Sequence, residues 1–238
     1  METQDLYRLL HNTSYPGRGI VLGMAPSGQR AAIAYFIMGR SANSRNRVFA
    51  ETEDGIETRA AAPSKLEDPS LIIYRPVRTL GDDHIVTNGD QTDTVYAALE
   101  TGGTFAGALR TRTFEPDAPN WTPRISGVMN VGEEGPAYKL SILKSGSPEG
   151  AVCLRQFFEY QPLAGVGHFI HTYQGDGEPL PSFSGEPVAV AVPESAEEFA
   201  ENLWNALNWD NKVSLFVRYI DLTSQETEDI IMNKYEEV

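Results

Sequence analysis

Short segments with the character of β-strands recur along most of the chain, and this pattern constrains the fold more than any other feature of the sequence. They are apolar or alternate between apolar and polar residues, and turn-forming Gly, Pro, Asp and Asn separate them. Eight segments fit this description: residues 19–25, 31–38, 70–78, 124–130, 137–144, 151–160, 167–173 and 187–192. The turn residues 145–148 join two of these segments and predict a hairpin. The sequence therefore predicts a protein built largely from sheets.

Helix signals are fewer but clear. Ser195 and Glu198 form a capping box ahead of apolar residues at helical spacing. Thr223 and Glu226 form a second box and predict a final helix that continues to about Tyr235. Shorter helices are predicted over residues 4–10 and 92–101. Because the strands cluster instead of alternating strictly with helices, the pattern predicts an α+β fold of layered sheets covered by helices.

The length and composition are typical of one globular domain. The chain has 238 residues, of which 41% are hydrophobic and 22% charged, and no long Pro/Gly/Ser-rich linker divides it. No run approaches the roughly 20 apolar residues of a membrane helix, and the first ten residues carry acids instead of a basic and apolar signal. We therefore expect a single domain over residues 1–238 that is soluble and cytoplasmic, with no membrane partner.

The charge distribution favours a small anionic ligand. A net charge of −14 argues against nucleic acid as a partner, since binding a phosphate backbone requires a sustained basic face. Fourteen of the 19 basic residues are arginine, and 12 of those lie at or before Arg124. The guanidinium group offers a planar fork of donors that suits phosphate and carboxylate. An Arg-rich half within an acidic protein thus indicates a local anion site, with surface salt bridges as the alternative.

The densest polar cluster is the loop 39–47, which directly follows an apolar strand. It contains three arginines with Ser and Asn between them: Arg40, Ser41, Arg45, Asn46 and Arg47. Forked cations and neutral donors in a loop fixed by strands on both sides can surround a phosphate. The alternative is a salt-bridged surface loop.

A second polar segment, residues 114–125, is stiffened by prolines. It carries Glu115, Asn120 and Arg124 as it enters a strand. Prolines lower the entropy cost of ordering a loop, which suits a site that must hold its groups still. The alternative is a rigid surface connection.

Three weaker candidates complete the set of polar segments. The loop 86–91 contains Asn88 and Asp90 ahead of a short predicted helix, and the loop 165–168 is rich in glycine; neither has the spacing of a Walker or dinucleotide loop. Tyr74, Arg75 and Pro76 lie toward the end of a predicted strand, and the Tyr74 hydroxyl could exchange a proton if it is held beside a cation.

Other chemistries lack their usual residues. His168 and His171 are three apart in a predicted strand and so face opposite sides, and the histidines and the single Cys153 form no zinc pattern. Cys153 lies in an alternating apolar stretch, which is typical of a small buried side chain. There is no Gly-x-Ser-x-Gly elbow, and no Ser, Thr or Cys follows Met1. We expect no metal, no cofactor and no covalent hydrolase mechanism.

Several motifs, taken in order, resemble those of the archaeal-type IMP cyclohydrolases. They are Tyr15-x-Gly17-Arg18-Gly19, the segment 32–47 ending in Arg-Ser…Asn-Arg, Asn88-Gly89-Asp90, and residues 114–125 with Phe-Glu-Pro-Asp…Asn…Thr-Pro-Arg-Ile. The resemblance extends from Tyr15 to about Glu186. It implies a four-layer αββα sandwich like that of the N-terminal-nucleophile hydrolases, without their processed nucleophile. It also implies the closure of 5-formamidoimidazole-4-carboxamide ribonucleotide (FAICAR) to IMP with loss of water.

The resemblance implies roles for the polar residues. Arg47, Tyr74 and Glu115 are the candidate catalytic residues. Glu115 is the candidate for transferring protons or positioning the substrate, with Tyr74 as the second candidate. Arg40, Arg45 and Arg47 together contain the residues that would bind the phosphate or stabilise an oxyanion, and the sequence does not divide these roles among them. The candidate residues for binding substrate or phosphate are Arg40, Ser41, Arg45, Asn46, Asn88, Asp90, Asn120 and Arg124. The alternatives are a purine-nucleotide-binding protein of the same fold without catalysis and, less favoured, an amidohydrolase. A homo-oligomer is compatible with the sequence, since symmetric association is common.

The sequence departs from the family pattern at three places. Residues 1–14 form an N-terminal extension ahead of Tyr15, and Ser44 and Arg45 lengthen the arginine loop. From residue 194 onward, 11 acids stand against 3 bases. We interpret the region 194–238 as an acidic, partly helical cover of the sandwich, with a partner surface as the alternative.

Overall fold

The computed structural model describes residues 2–235 and builds them from strands in two sheets, with short helices outside. The strands are β1 (Arg18–Met24), β2 (Arg30–Met38), β3 (Val48–Thr52), β4 (Gly55–Arg59), β5 (Val77–Leu80), β6 (Asp83–Thr87), β7 (Arg124–Asn130), β8 (Ala137–Ser145), β9 (Cys153–Tyr160), β10 (Val166–His171), β11 (Val188–Ala191), β12 (Lys212–Asp221) and β13 (Thr227–Asn233). The helices are α1 (Leu6–His11), α2 (Ala42–Arg45), α3 (Gln91–Glu100), α4 (Phe105–Arg110) and α5 (Ala196–Ala206), with a 3-10 turn at Pro63–Lys65.

Both sheets are antiparallel. The six-stranded sheet has the order β11-β10-β1-β2-β12-β13, and the seven-stranded sheet has the order β3-β4-β5-β6-β7-β8-β9. In the first sheet, β1 and β2 pair with Gly19 opposite Phe36, and in the second, β8 and β9 form the predicted hairpin. The α+β class predicted from the sequence is therefore confirmed.

The core between the sheets follows from the alternation of side chains along each strand. Ile20 and Leu22 of β1 and Ile33 of β2 point toward the seven-stranded sheet, where they meet apolar residues such as Val86. Gly127 allows close approach at this interface, because a Cβ atom there would lie 2.8 Å from Cδ1 of Leu22. The two sheets thus share one apolar layer.

Helices cover the outer faces of both sheets. Leu6 of α1 and Phe199 of α5 pack on the six-stranded sheet, together with Val21 of β1. Val95 of α3 and Leu109 of α4 pack on the seven-stranded sheet. The layers therefore run helix, sheet, sheet, helix. No helix among residues 2–235 is long and apolar enough to cross a membrane.

The predicted strand over residues 70–78 is wrong for most of its length. Residues 69–73 form a turn in which the N–H groups of Ile72 and Ile73 donate to the Pro69 carbonyl, and β5 begins only at Val77. Pro76 has no N–H for a ladder and restricts the residue before it, so pairing starts after it.

The predicted final helix after Thr223 is also wrong. The N–H groups of Thr223 and Ser224 donate to the carboxylate of Asp221 and form a turn, and the chain then returns along β12 as strand β13. Ile230 pairs with Val217 in this ladder. Pairing with a long neighbouring strand outweighs a local capping signal when the residues are β-branched. Met1 and the C-terminal residues 236–238 lie outside the described residues.

Three of the predicted helices are confirmed. They correspond to α1, α3 and α5, and the hydroxyl of Ser195 accepts a hydrogen bond from the Glu198 N–H at the start of α5. The short helices α2 and α4 are not predicted from the sequence. Each is only four to six residues long and is capped by a hydroxyl, from Ser41 and Thr104 respectively.

Candidate active site

A cavity of about 320 Å³ opens beside the start of β1 and the end of β2. Because these strands are antiparallel, Arg18 at the first position of β1 lies opposite Ile37 near the end of β2. The loop after β2 and the proline-containing loop before β7 supply much of the remaining wall. Lining side chains include Tyr15, Arg18, Arg40, Ser41, Arg47, Glu115, Asp117, Asn120, Thr122 and Tyr173. The volume lies at the lower end of the range for small-molecule sites.

A buried ion pair lies in this cavity. Nη2 of Arg18 is 3.5 Å from Oε2 of Glu115, and both side chains are almost fully buried. Burial raises the pKa of the Glu115 carboxyl, while the positive charges of Arg18 and Arg124 oppose the shift. Nε of Arg18 is buried and has no hydrogen-bond partner among residues 2–235. The pair therefore retains a donor that the described part of the chain does not satisfy.

Arg47 is a buried cation without a carboxylate partner. Only 1% of the residue is exposed, and its Nε donates to the Ser44 carbonyl at 2.8 Å. Within residues 2–235 it forms no salt bridge, and its Nη1 has no hydrogen-bond partner. Burial lowers the pKa of its guanidinium, Tyr74 opposes this shift and the charge of Arg18 adds to it. A buried unpaired charge is costly, so an anionic group bound in the cavity would offset part of that cost.

Two tyrosine hydroxyls lie close to these arginines. The hydroxyls of Tyr35 and Tyr74 are 2.8 Å apart, and both residues are buried. Tyr74 is held by Thr58, whose hydroxyl accepts from the Tyr74 N–H at 2.8 Å. Burial and the neighbouring Tyr74 raise the pKa of Tyr35, against the opposing charge of Arg18. The Tyr35 hydroxyl therefore stays protonated at neutral pH.

Internal hydrogen bonds hold the loop that carries Glu115. The Glu115 N–H donates to the Thr122 carbonyl at 2.9 Å, and the Thr122 N–H donates to the Asp117 carboxylate at 2.7 Å. The Thr122 hydroxyl bonds to both the Asp117 carboxylate and the Tyr173 hydroxyl. Because the loop is closed on itself and tied to Tyr173, the Glu115 carboxyl has a fixed position, as the prolines of this segment predict.

The rim of the cavity is more exposed and carries Arg40. Its guanidinium lies 5.2 Å from the ring centroid of Tyr15 and forms an ion pair of 2.7 Å with Asp176. The Arg40 side chain is 38% exposed. Ser41, which caps α2, and Asn120, whose side-chain oxygen accepts from the Leu180 N–H at 3.1 Å, also line the cavity. The rim thus offers a solvated cation and neutral polar groups to a ligand.

Comparison with known proteins places this chain in a family. The model of the family described as IMP cyclohydrolase-like protein matches residues 15–226, which contain every residue of the cavity wall. The chain belongs to the IMP cyclohydrolase-like family. All of the lining residues named above therefore lie within the part of the chain that the family model matches, whereas the N-terminal extension, residues 1–14, lies outside it.

Individual relatives match over about half of the chain. The IMP cyclohydrolase of Methanococcus maripaludis is 34% identical over 126 residues, that of Methanosphaera stadtmanae 30% over 125 residues, and that of Methanococcus aeolicus 32% over 123 residues. These alignments cover 49–51% of this chain. The chain spans only 58–60% of the length of the relatives it matches.

Two of the predicted residues in the arginine loop point away from the cavity. Nε of Arg45 donates to the Gly39 carbonyl at 2.9 Å, and its Nη2 donates to Asn211 at 3.1 Å. The amide of Asn46 both donates to the Ala62 carbonyl at 2.9 Å and accepts from the Ala62 N–H at 2.7 Å. These contacts fix the loop to its neighbours and leave Arg40, Ser41 and Arg47 on the cavity side.

Asn88, Asp90 and Arg124 form a separate polar network beneath β7. The Asn88 amide donates to the Pro123 carbonyl at 2.8 Å and accepts from the Ile125 N–H at 2.9 Å. Nη1 of Arg124 is 2.7 Å from the Asp90 carboxylate, which also pairs with Arg112. None of the three lines the cavity, although the positive charge of Arg124 acts to lower the pKa of Glu115.

Sequence reasoning did not single out Arg18, Tyr35, Tyr173, Asp117 and Thr122 as site residues. Arg18 is the charged residue in the motif that begins at Tyr15, at the first position of a strand, and that placement is the available signal for it. Tyr35 and Tyr173 belong to strand-like segments in which an aromatic side chain is typical of the core. Their position beside the charged cluster follows only from the pairing of distant strands.

The arrangement places groups suited to anion binding beside a group suited to proton transfer. The unsatisfied N–H groups of Arg18 and Arg47 can donate hydrogen bonds to an oxyanion or a phosphate oxygen, and Glu115, with its raised pKa, can exchange a proton with a ligand. Among residues 2–235, no group of three or more His, Cys, Asp and Glu side chains is placed to hold a metal ion.

Proposed function

We propose that this chain is an IMP cyclohydrolase that closes FAICAR to IMP with loss of water. One observation carries the proposal: a buried carboxyl and two buried arginines with unsatisfied donors, Glu115, Arg18 and Arg47, face one cavity. Membership in the IMP cyclohydrolase-like family supports it. The helix, sheet, sheet, helix order supports the further proposal that the fold is related to the N-terminal-nucleophile hydrolases.

The reaction needs no external nucleophile. The carboxamide nitrogen of FAICAR attacks its formyl carbon, which forms a C–N bond and places negative charge on the formyl oxygen. One proton then leaves the attacking nitrogen and another leaves the formamido nitrogen, and the formyl oxygen departs with two protons as water. The enzyme must bind the substrate, hold the two groups together and move protons.

The cavity residues suit these tasks. We assign proton transfer to Glu115, whose burial raises its pKa toward the range useful for exchanging protons. Arg47 and Arg18 would stabilise the charge that develops on the formyl oxygen, and Tyr74, hydrogen-bonded to Tyr35, would support the same region. Arg40, Ser41 and Asn120 at the rim would hold the phosphate and ribose.

The first test is conversion of FAICAR to IMP by chelator-treated protein, followed by absorbance. We expect turnover that the chelator does not change and, separately, an IMP-dependent rise in Tm from binding to the folded state. Glu115→Gln keeps the shape of the side chain but removes its ionisable proton, and it should lower turnover by about 10²–10⁴-fold.

Glu194→Gln provides a matched control outside the cavity, where the carboxylate accepts hydrogen bonds from Ser27. It should leave turnover within about twofold of the parent. Stabilisation by IMP without any turnover would contradict the catalytic proposal and favour a nucleotide-binding protein. Absence of both stabilisation and turnover would reject the site itself.

A further inference from the structure

The two sheets have four edge strands, and three of these edges form hydrogen bonds with another segment of the chain. Gln4 of the N-terminal extension runs along β11, where its N–H donates to the Ala189 carbonyl at 2.8 Å. The edges of β3 and β13 are tied together by Asn233, whose amide donates to the Phe49 carbonyl at 3.0 Å and accepts from the Phe49 N–H at 2.9 Å. Proteins generally block such edges, because their unpaired N–H and C=O groups can form hydrogen bonds with a strand of another molecule.

The fourth edge strand, β9, has no such cover within residues 2–235. It pairs only with β8, in a continuous register over eight residues. It contains no proline, and Leu154 and the preceding Val152 are 44% and 52% exposed. A long, regular and partly apolar edge is the kind that pairs with a further strand.

The backbone of β9 shows which residues can form that pairing. The Gly146 N–H donates to the Val152 carbonyl at 2.8 Å, in the same register as the rest of the hairpin. Hydrogen-bonded and non-hydrogen-bonded positions alternate in an antiparallel pair. The N–H and C=O groups of Cys153, Arg155, Phe157 and Glu159 therefore point away from β8, toward the free edge.

The charges of these residues are symmetric about Phe157. Arg155 lies two residues before it and Glu159 two residues after it, and both are exposed on the same face of the sheet. Within the chain, Arg155 donates to the Arg112 carbonyl at 2.8 Å and Glu159 forms an exposed ion pair of 3.1 Å with Lys139, which a partner strand would have to share or replace. If a second β9 pairs antiparallel with Phe157 opposite the partner's Phe157, each Arg155 lies opposite the partner's Glu159. All of these positions have outward-facing backbone groups, so the register forms regular hydrogen bonds as well as two charge pairs.

The opposite face of the strand matches in the same register. Leu154 would lie opposite the partner's Tyr160, and this apolar pair would cover one of the exposed side chains of the edge. A shift by two residues keeps the backbone pairing but places neither charge opposite its counterpart. The charge pattern therefore selects one register among those that the backbone permits.

We propose that β9 is the interface between two copies of this chain, which pair antiparallel about a twofold axis through Phe157 and join their seven-stranded sheets. The partner is a second copy because the strand is complementary to itself, as an isologous interface requires. This proposal does not depend on the enzymatic activity.

Sedimentation velocity over a concentration series tests the interface. We expect the parent chain to approach twice its 26.2 kDa mass. Arg155→Glu places Glu opposite Glu at two symmetric positions and should raise the dimer dissociation constant about tenfold or more. Glu51→Arg, a charge change of equal size and opposite sign on the edge strand β3, should not change the dimer.

Mixing two variants provides the sharper measurement. Arg155→Glu and Glu159→Arg should each be largely monomeric alone, because each repels its own copy. Together they should form a heterodimer, detected by native mass spectrometry with one chain isotopically labelled, since every charged position then meets its opposite. This result shows that both variants are folded and that the two strands are paired in the stated register.

Three outcomes would overturn the proposal. The first is a parent chain that stays monomeric up to its solubility limit. The second is an Arg155→Glu variant that dimerises as well as the parent, which would place the interface on another surface. The third is a mixture of the two variants that forms no heterodimer although circular dichroism shows both to be folded.

Discussion

Two buried arginines, Arg47 and Arg124, show how the same residue type can serve a cavity or a scaffold. Both lie in polar segments that the sequence suggests for ligand binding, and both are at most 6% exposed. Arg124 bonds to Gln91 and pairs with Asp90. Arg47 donates only to backbone carbonyls and keeps Nη1 unsatisfied among the described residues.

The difference separates ligand binding from architecture. A buried donor without a partner costs free energy, so it persists where a ligand can satisfy it. A buried donor whose bonds are complete has no capacity left for a ligand. Unsatisfied hydrogen-bond donors that face a cavity therefore distinguish Arg47 from Arg124, which the polar character of their loops does not.

The strongest test of this comparison is Arg47→Met. It removes the cation from the cavity while keeping most of the side-chain volume, and we expect turnover to fall by about 10²–10³-fold, as when one well-placed oxyanion donor is lost. The measurement is kcat and KM for FAICAR closure, with Tm recorded to account for the lost bonds to Ser44 and Met38.

Arg45→Met is the matched control for that change. Arg45 lies two residues earlier and also makes two hydrogen bonds, to Gly39 and Asn211, but it faces away from the cavity. We expect a similar loss of Tm with turnover within a few-fold of the parent. Equal losses of turnover in both variants would mean that the loop acts only through its structure.

Arg124→Met should show the reverse pattern. It leaves the buried oxygen of Gln91 unpaired and removes one partner of Asp90, so we expect the free energy of unfolding to fall by about 1–3 kcal/mol. Turnover per folded molecule should change less than in Arg47→Met, since Arg124 influences Glu115 only through its charge. Urea denaturation measures the first quantity and steady-state kinetics the second.

Arg112→Met is the control for Arg124→Met. Arg112 pairs with the same Asp90, but its side chain is 26% exposed, and the loss should stay below about 1 kcal/mol. A fall in turnover for Arg124→Met as large as that for Arg47→Met, at unchanged stability, would contradict the division between scaffold and cavity.

Much of the fold was predictable because its signals are local. Alternation along β1, β2 and β7–β10 and the capping box at Ser195 specify elements without reference to distant residues. Distant pairing caused one of the wrong assignments, because the ladder between β12 and β13 outweighed the capping box at Thr223. The other had a local cause, since Pro76 delays the start of β5. The strands β4 and β6 and the short helices α2 and α4 are not predicted from the sequence.

The candidate site was predictable only in part for the same reason. The loops 39–47 and 114–125 both reach the cavity, and their polar composition marks them in the sequence. The orientation of each side chain is not marked, so Arg45 and Arg47 look equivalent until α2 turns one of them away. Arg18 joins Glu115 through the placement of β1 beside a loop from the other sheet.

The smallest expected effect belongs to the rim. Arg40 is partly solvated and already paired with Asp176, so binding a phosphate group there would exchange one weak ion pair for another and contribute little. Arg40→Ala should raise KM by about fivefold at low salt with kcat unchanged, and the effect should shrink as ionic strength rises. Asp176→Asn frees Arg40 from its competitor and should lower KM or leave it unchanged. A loss of kcat in Arg40→Ala would mean that Arg40, like Arg47, acts on the transition state. The proposed difference between a buried, unsatisfied arginine and a solvated one would then be wrong.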